Sequence, residues 1–241
     1  MRLQRQAIRL LGLCVLFSTS AWAQFPDKFT NLQYFPKDIS KQELQSIMRD
    51  FSLSLGAHCE TCHVESADHK MDFASDAKDE KKTARVMLKM VDEINKGYLS
   101  KLGPNAVQVQ CITCHRGVEE PKTITAIFTD TMEKKGLPAA VDRYTELRKK
   151  YYGSAAYDFS ELPLDLLAES LAQKGKAKDA AAIMDLNLSF NQPTARTYNV
   201  LATVHKANGE NDKAKADLQK LLELQPDNRR AKQMLDELNK Q

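Results

Sequence analysis

Apolar positions follow two regimes along the chain. Behind Ser40 and Glu43, a capping-box pair, Leu44, Ile47, Met48, Phe51 and Leu55 recur at helical spacing, and Gly56 supplies a stop. A polar stretch runs from Glu65 to Lys78. Val86, Met87, Met90, Val91 and Ile94 then line one face of a second helix, expected over about 79–96. Gly103-Pro104-Asn105 reads as a loop, and Gly117 and Pro121 close this half. Residues 24–36 are aromatic and Pro-containing without a period, and read as an extended lead-in. No strand pattern exceeds a few residues, so the expected fold class is all-α.

After residue 123 the chain becomes Ala-, Leu- and Lys-rich, lacks cysteine, and repeats. Gly175 and Gly209 are 34 residues apart. In that register Leu164 falls on Tyr198, Leu167 on Leu201, Ala168 on Ala202, Leu171 on His205, Ala180 on Ala214, and Met184 on Leu218. A 34-residue period with small residues where paired helices cross resembles the tetratricopeptide repeat. The second copy ends in Leu224-Gln225-Pro226, close to that family's consensus, whereas the first lacks the terminal proline. Ala140, Tyr144 and Leu147 mark a weaker hairpin ahead of both, and Arg229 to Asn239 reads as a terminal capping helix. A generic helical bundle is the alternative reading of the same periodicity.

The start of the chain has the anatomy of a secretory signal peptide. Arg2, Arg5 and Arg9 precede the apolar run Leu10 to Phe17, and Ala21-Trp22-Ala23 is a small-x-small cleavage site. The apolar run is too short to span a bilayer. Leu13 stands before Cys14 where a lipoprotein signal wants a small residue, so Cys14 is expected to leave with the leader. Removal takes three arginines and no acid, so the formal charge of +3 disappears. The basic balance of the precursor therefore implies no nucleic-acid partner, and no long basic run supplies one. The expected organisation is a signal peptide over 1–23, a cysteine-bearing domain over 24–123 and helical repeats over 124–241. The expected location is the periplasm, with no membrane span after cleavage.

Four cysteines then remain, in Cys59-Glu60-Thr61-Cys62-His63 and Cys111-Ile112-Thr113-Cys114-His115. Both are C-x-x-C-H, the attachment motif of c-type haem. Thiols three positions apart share one edge of a helical turn and reach the two vinyl groups of one porphyrin. The following histidine then offers its imidazole to the iron as proximal ligand. Covalent attachment retains the cofactor outside the cell and lets a small domain use the apolar macrocycle as core. A four-cysteine zinc site or two disulfides would use the same cysteines, but neither explains a histidine after each pair. Two covalent haem c groups are therefore expected, held by Cys59, Cys62, Cys111 and Cys114, with His63 and His115 on the irons, which makes 24–123 a dihaem cytochrome c domain.

For the distal ligand the residues leave Met48, Met87, Met90, His58, His69 and, remotely, His205 open. A methionine helix precedes each motif, which favours thioether ligation over simple core packing. His58 adjoins Cys59, His69 lies in the polar loop, and His205 falls at an inward repeat position expected to pack.

Residues 38–116 also resemble the cytochrome c subunit of photosynthetic reaction centres. The matching stretches are Ile47-Met48, Ala84-Arg85-Val86-Met87, Ile94-Asn95, Tyr98, Gly103 and Thr113-Cys114-His115-Arg116-Gly117. The resemblance implies units of methionine helix, loop and haem motif, with Met48 as distal ligand of the first haem and Met87 of the second. Met90 is the fallback one turn on. The family usually carries four haems, whereas this chain has two motifs, and Lys101 stands near where relatives place a histidine ligand. Photosynthesis therefore does not follow from the resemblance. The expected function is single-electron transfer between redox proteins, with the repeats as a partner-binding surface and no catalysis. The alternatives are a two-haem enzyme such as a peroxidase, and a scaffold whose binding responds to redox state.

Overall fold

The computed structural model describes residues 25–68 and 70–240. The leader over 1–23, including Cys14, lies outside the described residues, as does His69. By its contacts the chain divides into two compact units. One runs to Asp50 and resumes over His58–Val107; the other comprises Phe51–Ala57 and everything from Gln108.

The helix α1 (Lys41–Leu55), whose Phe51–Leu55 end belongs to the second unit, starts where the capping pair places it, with the Glu43 amide donating to Ser40 Oγ at 3.1 Å. The short α2 (Cys59–Cys62) leads into a two-residue antiparallel pair, β1 (Val64–Glu65) and β2 (Met71–Asp72), in which Val64 faces Asp72 and Glu65 faces Met71. α3 (Asp79–Glu93) begins with acidic Asp79 and Glu80, which complement its N-terminal dipole. The expected end near Lys96 is not a clean stop. The helix passes through a π-turn (Ile94–Tyr98) and a 3₁₀ turn (Leu99–Leu102) before Gly103, at φ +109°, ends it. The lead-in is tied down rather than loose. Phe25 stacks against Phe29 and Phe73, Asn31 Nδ2 donates to the Ala74 carbonyl at 2.6 Å, and Gln33 Nε2 donates to Asp76 at 3.0 Å.

The second unit holds α4 (Cys111–His115) and seven longer helices. These are α5 (Ile124–Lys135), α6 (Leu137–Tyr151), α7 (Glu161–Gln173), α8 (Ala177–Phe190), α9 (Ala195–Ala207), α10 (Asn211–Leu224) and α11 (Arg229–Asn239). They pack as successive hairpins, α5 with α6, α7 with α8 and α9 with α10, while α7 also packs on α9 and α11 covers α10. Ala168, Ala180, Ala202 and Ala214, the small positions of the repeat, are fully buried and let the helix backbones approach. Gly175 and Gly209 occupy equivalent turns at φ +75° and +76°, a conformation that costs a side chain and suits glycine. Thr123, Thr194 and Asn228 cap α5, α9 and α11 by accepting the amides of Ala126, Thr197 and Ala231. Among the described residues the chain is thus all-α apart from one two-residue strand pair, and its C-terminal half consists of helical hairpins.

The two kinds of helix bury their apolar faces to different degrees. Tyr144, Phe128, Leu164, Ile183, Met184, Leu218 and Leu221 are enclosed in the hairpin half. Amphipathic α3 has no buried residue: Val86 is 65% exposed and Met90 41%.

Candidate functional site

The two C-x-x-C-H segments form helical turns, so in each the cysteines at i and i+3 share an edge. None of the four is in a disulfide. Among the described residues no three His, Cys, Asp or Glu side chains gather as a metal site would require.

The motifs end differently. In α2 the Thr61 amide bonds the His58 carbonyl at 3.0 Å and the His63 amide bonds the Cys59 carbonyl at 2.9 Å. His63 itself has left the helix, at φ −118° and ψ 149°, and enters β1. α2 packs on α3, the helix carrying Met87 and Met90. The half-buried His63 ring meets Phe73 edge-on at 5.0 Å between centroids, and its buried Nδ1 makes no hydrogen bond. Burial first, and the Lys81 charge second, lower the proton affinity of His63, with the Phe73 backbone opposing them. The neutral ring, which carries the lone pair a metal needs, is favoured.

α4 is better framed. Gln110 and Thr113 form a reciprocal capping box, with the Gln110 amide donating to Thr113 Oγ1 at 3.0 Å. The helix closes at Arg116, the one non-glycine residue at positive φ among those described (+52°), followed by Gly117 at +87°. That turn sends the chain back so that His115 Nδ1 lies 3.0 Å from the Val118 carbonyl. A carbonyl only accepts, so the proton sits on Nδ1 and Nε2 is left with its lone pair. The turn is pinned from α1: the Gly117 amide donates to the Ser54 carbonyl at 2.8 Å. Gly56, at φ +62°, lies so close that a Cβ there would stand 2.1 Å from the Gly117 oxygen.

A third arrangement surrounds the approach to α3. Lys81, its side chain 11% exposed, donates to the carbonyls of Phe73 at 2.9 Å, Ala74 at 3.1 Å and Ser75 at 2.7 Å. It also pairs with Asp76 at 3.1 Å, and Arg85 meets the same carboxylate at 2.8 Å. The Arg85 bond, with help from Asn31 and Lys81, holds the Asp76 carboxyl well below the usual carboxylate range.

Of the other distal candidates, Met48 and Met87 are half-buried on α1 and α3, and His58 is exposed at the N-terminus of α2. His205 does more than pack: its Nδ1 lies 2.6 Å from Asp217. Lys101 is exposed, its ammonium 5.6 Å from the centre of the Tyr98 ring. Phe73, Lys81, Val118 and the Gly56–Gly117 approach had no periodic or motif signal in the sequence. Only the positive-φ demand at glycines hinted at the last.

These residues fit a covalently held porphyrin. Paired cysteines outside any disulfide lie on one helical edge, the His115 imidazole has its tautomer fixed by a backbone acceptor, and α3 keeps an apolar side uncovered. The class so defined is the c-type cytochrome. The chain belongs to the photosynthetic reaction centre cytochrome C subunit family, which it matches over residues 23–223. That span runs far beyond residues 38–116, into the helical hairpins. Membership makes this an electron-transfer cytochrome with covalently bound haem c. No curated protein matches the chain. Among solved structures, the first TPR domain of the human RPAP3 protein is 18% identical, with a TM-score of 0.34, over 48% of this chain and 87% of that one. Among the described residues no helix is long and apolar enough to cross a membrane.

Proposed function

We propose that this chain is an exported, periplasmic cytochrome with two haem c groups that passes single electrons between redox partner proteins. In this reading Cys59 and Cys62 anchor one haem and Cys111 and Cys114 the other, with His63 and His115 as proximal ligands. Bound haem would supply a reversible one-electron change at each iron. Met48 and Met87 are the proposed distal ligands, with Met90 in reserve; thioether ligation on both irons leaves no open position for a substrate. The helical hairpins would present a surface for protein partners, as stacked helix pairs do.

The observation that carries the reading is the His115–Val118 bond at 3.0 Å directly behind a helical Cys-x-x-Cys turn. It prepares an imidazole to bind a metal through Nε2. The test is maturation of the full chain with a haem-attachment system, followed by mass determination and a spectroscopic redox titration. Two covalent haems, both low-spin, are expected. A single haem, or a high-spin component that binds carbon monoxide in the unmodified protein, would overturn the two-haem carrier and favour an enzyme. Met48→Ala and Met87→Ala are each expected to open one haem to carbon monoxide. Because α2 packs on α3, each variant should be read on both haems. A variant whose spectrum does not change marks its methionine as packing only.

A further inference from the structure

Resting on that reading, we infer that Lys81 is a positioning residue that raises the reduction potential of the haem held by Cys59, Cys62 and His63. An axial imidazole whose Nδ1–H is given to a good acceptor becomes a stronger electron donor, which favours the oxidised iron. His115 has such an acceptor in the Val118 carbonyl at 3.0 Å. His63 has none: its Nδ1 is buried without a hydrogen bond. The backbone segment beside its ring begins at Phe73, whose side chain touches the imidazole. The Phe73 carbonyl is engaged by the Lys81 ammonium at 2.9 Å, and the next two carbonyls bond the same ammonium.

Lys81 therefore acts on His63 in two ways. It bonds the Phe73 carbonyl, the backbone acceptor that acts on His63, and so draws that oxygen's electron density away from the imidazole. It also places positive charge beside the imidazole, as part of a pair of cations, with Arg85, that shares the single Asp76 carboxylate. Both effects disfavour the higher charge of oxidised iron. Among the described residues no cation engages the Val118 carbonyl, so the acceptor of His115 is left the stronger of the two.

The test is a spectroelectrochemical titration of haem-matured full-length protein. A Cys59→Ala/Cys62→Ala variant, carrying only the second haem, assigns the two waves. Lys81→Met is expected to lower the potential of the His63 wave and leave the His115 wave in place. Lys81→Arg, which keeps charge and donors, should restore it. Lys81→Gln, which can still bond a carbonyl without charge, should fall between and serves if the methionine variant does not mature. Normal attachment with an unmoved His63 wave in both Met and Gln variants overturns the inference, as does an equal shift of both waves. Failure of the unmodified chain to attach haem overturns the functional reading instead.

Discussion

A methyl group on Gly56 would stand 2.1 Å from the Gly117 oxygen, a distance no rotamer can relieve because both partners are backbone. Gly56 also sits at φ +62°, where any L side chain adds strain of about 1–2 kcal/mol. Gly175 shares the positive φ, at +75°, but has nothing within 4 Å of its would-be Cβ. Gly56→Ala should therefore lower the urea midpoint of the full chain clearly more than Gly175→Ala, which carries the strain alone. Equal losses would mean that the Gly117 turn yields freely. The thiols and imidazoles were legible from the sequence because covalent attachment demands a fixed local spacing. The Val118 and Phe73 carbonyls were not, since every residue has a carbonyl and only the path of the chain decides which one faces a ring.

Among the elements, α7, α8 and α9 are joined by polar as well as apolar contacts. Buried Asp165 on α7 accepts from Asn187 Nδ2 of α8 at 2.8 Å and from Thr197 Oγ1 of α9 at 3.0 Å. Asn187 also donates to the Glu161 carbonyl at 2.9 Å. Burial pushes Asp165 above its ordinary 3.8 despite the Thr197 and Asn187 bonds and the attraction of Arg196; Glu161 adds to the rise. A pKa higher in the folded than in the unfolded chain means that folding takes up a proton between the two values. Asp165 thus contributes most stability below 3.8, and that contribution is lost as pH rises through the raised value. In urea unfolding across acidic pH, the stability difference between the wild type and Asp165→Asn should shift in favour of the wild type as pH falls. Asp217 is raised by burial as well, so the variant keeps part of the slope. A difference that does not change with pH would show that Asp165 titrates alike in both states. The helices themselves followed from period and capping: α11 falls where the repeat calls for a cap, and α1 starts behind Ser40. The π-turn after α3 was not legible, because Ile94 to Tyr98 carries no breaker until Gly97.

At the scale of the whole molecule, the halves differ in what stabilises them. The hairpins enclose a continuous apolar cluster from Ile124 to Val204 and a second one around Leu218 and Leu238. The motif-bearing region buries Leu44, Ala57 and Val118 and leaves Val86, Leu102, Val107 and Ile112 exposed. Such side chains are worth about 25 cal/mol per Å² when covered, and a porphyrin is a large apolar cover. A variant with Cys59, Cys62, Cys111 and Cys114 all changed to alanine should keep a cooperative thermal transition from the hairpins. Its region between the lead-in and Val107 should become sensitive to protease, while the haem-matured chain resists. Equal protection in both proteins would show that this region is stable without its cofactor.

By itself the sequence determined what depends on neighbours along the chain. That includes the two attachment motifs, the methionine helices, the 34-residue register and its glycine turns. Each of these is set by the spacing of residue types within a few helical turns. The tertiary structure alone decided what each proximal histidine meets. Ser54 and Gly56 fix the turn that offers Val118 to His115, while Lys81 reaches back to the Phe73 carbonyl beside His63. The two motifs are nearly identical in sequence, and backbone groups brought from elsewhere in the fold make their histidines chemically unlike.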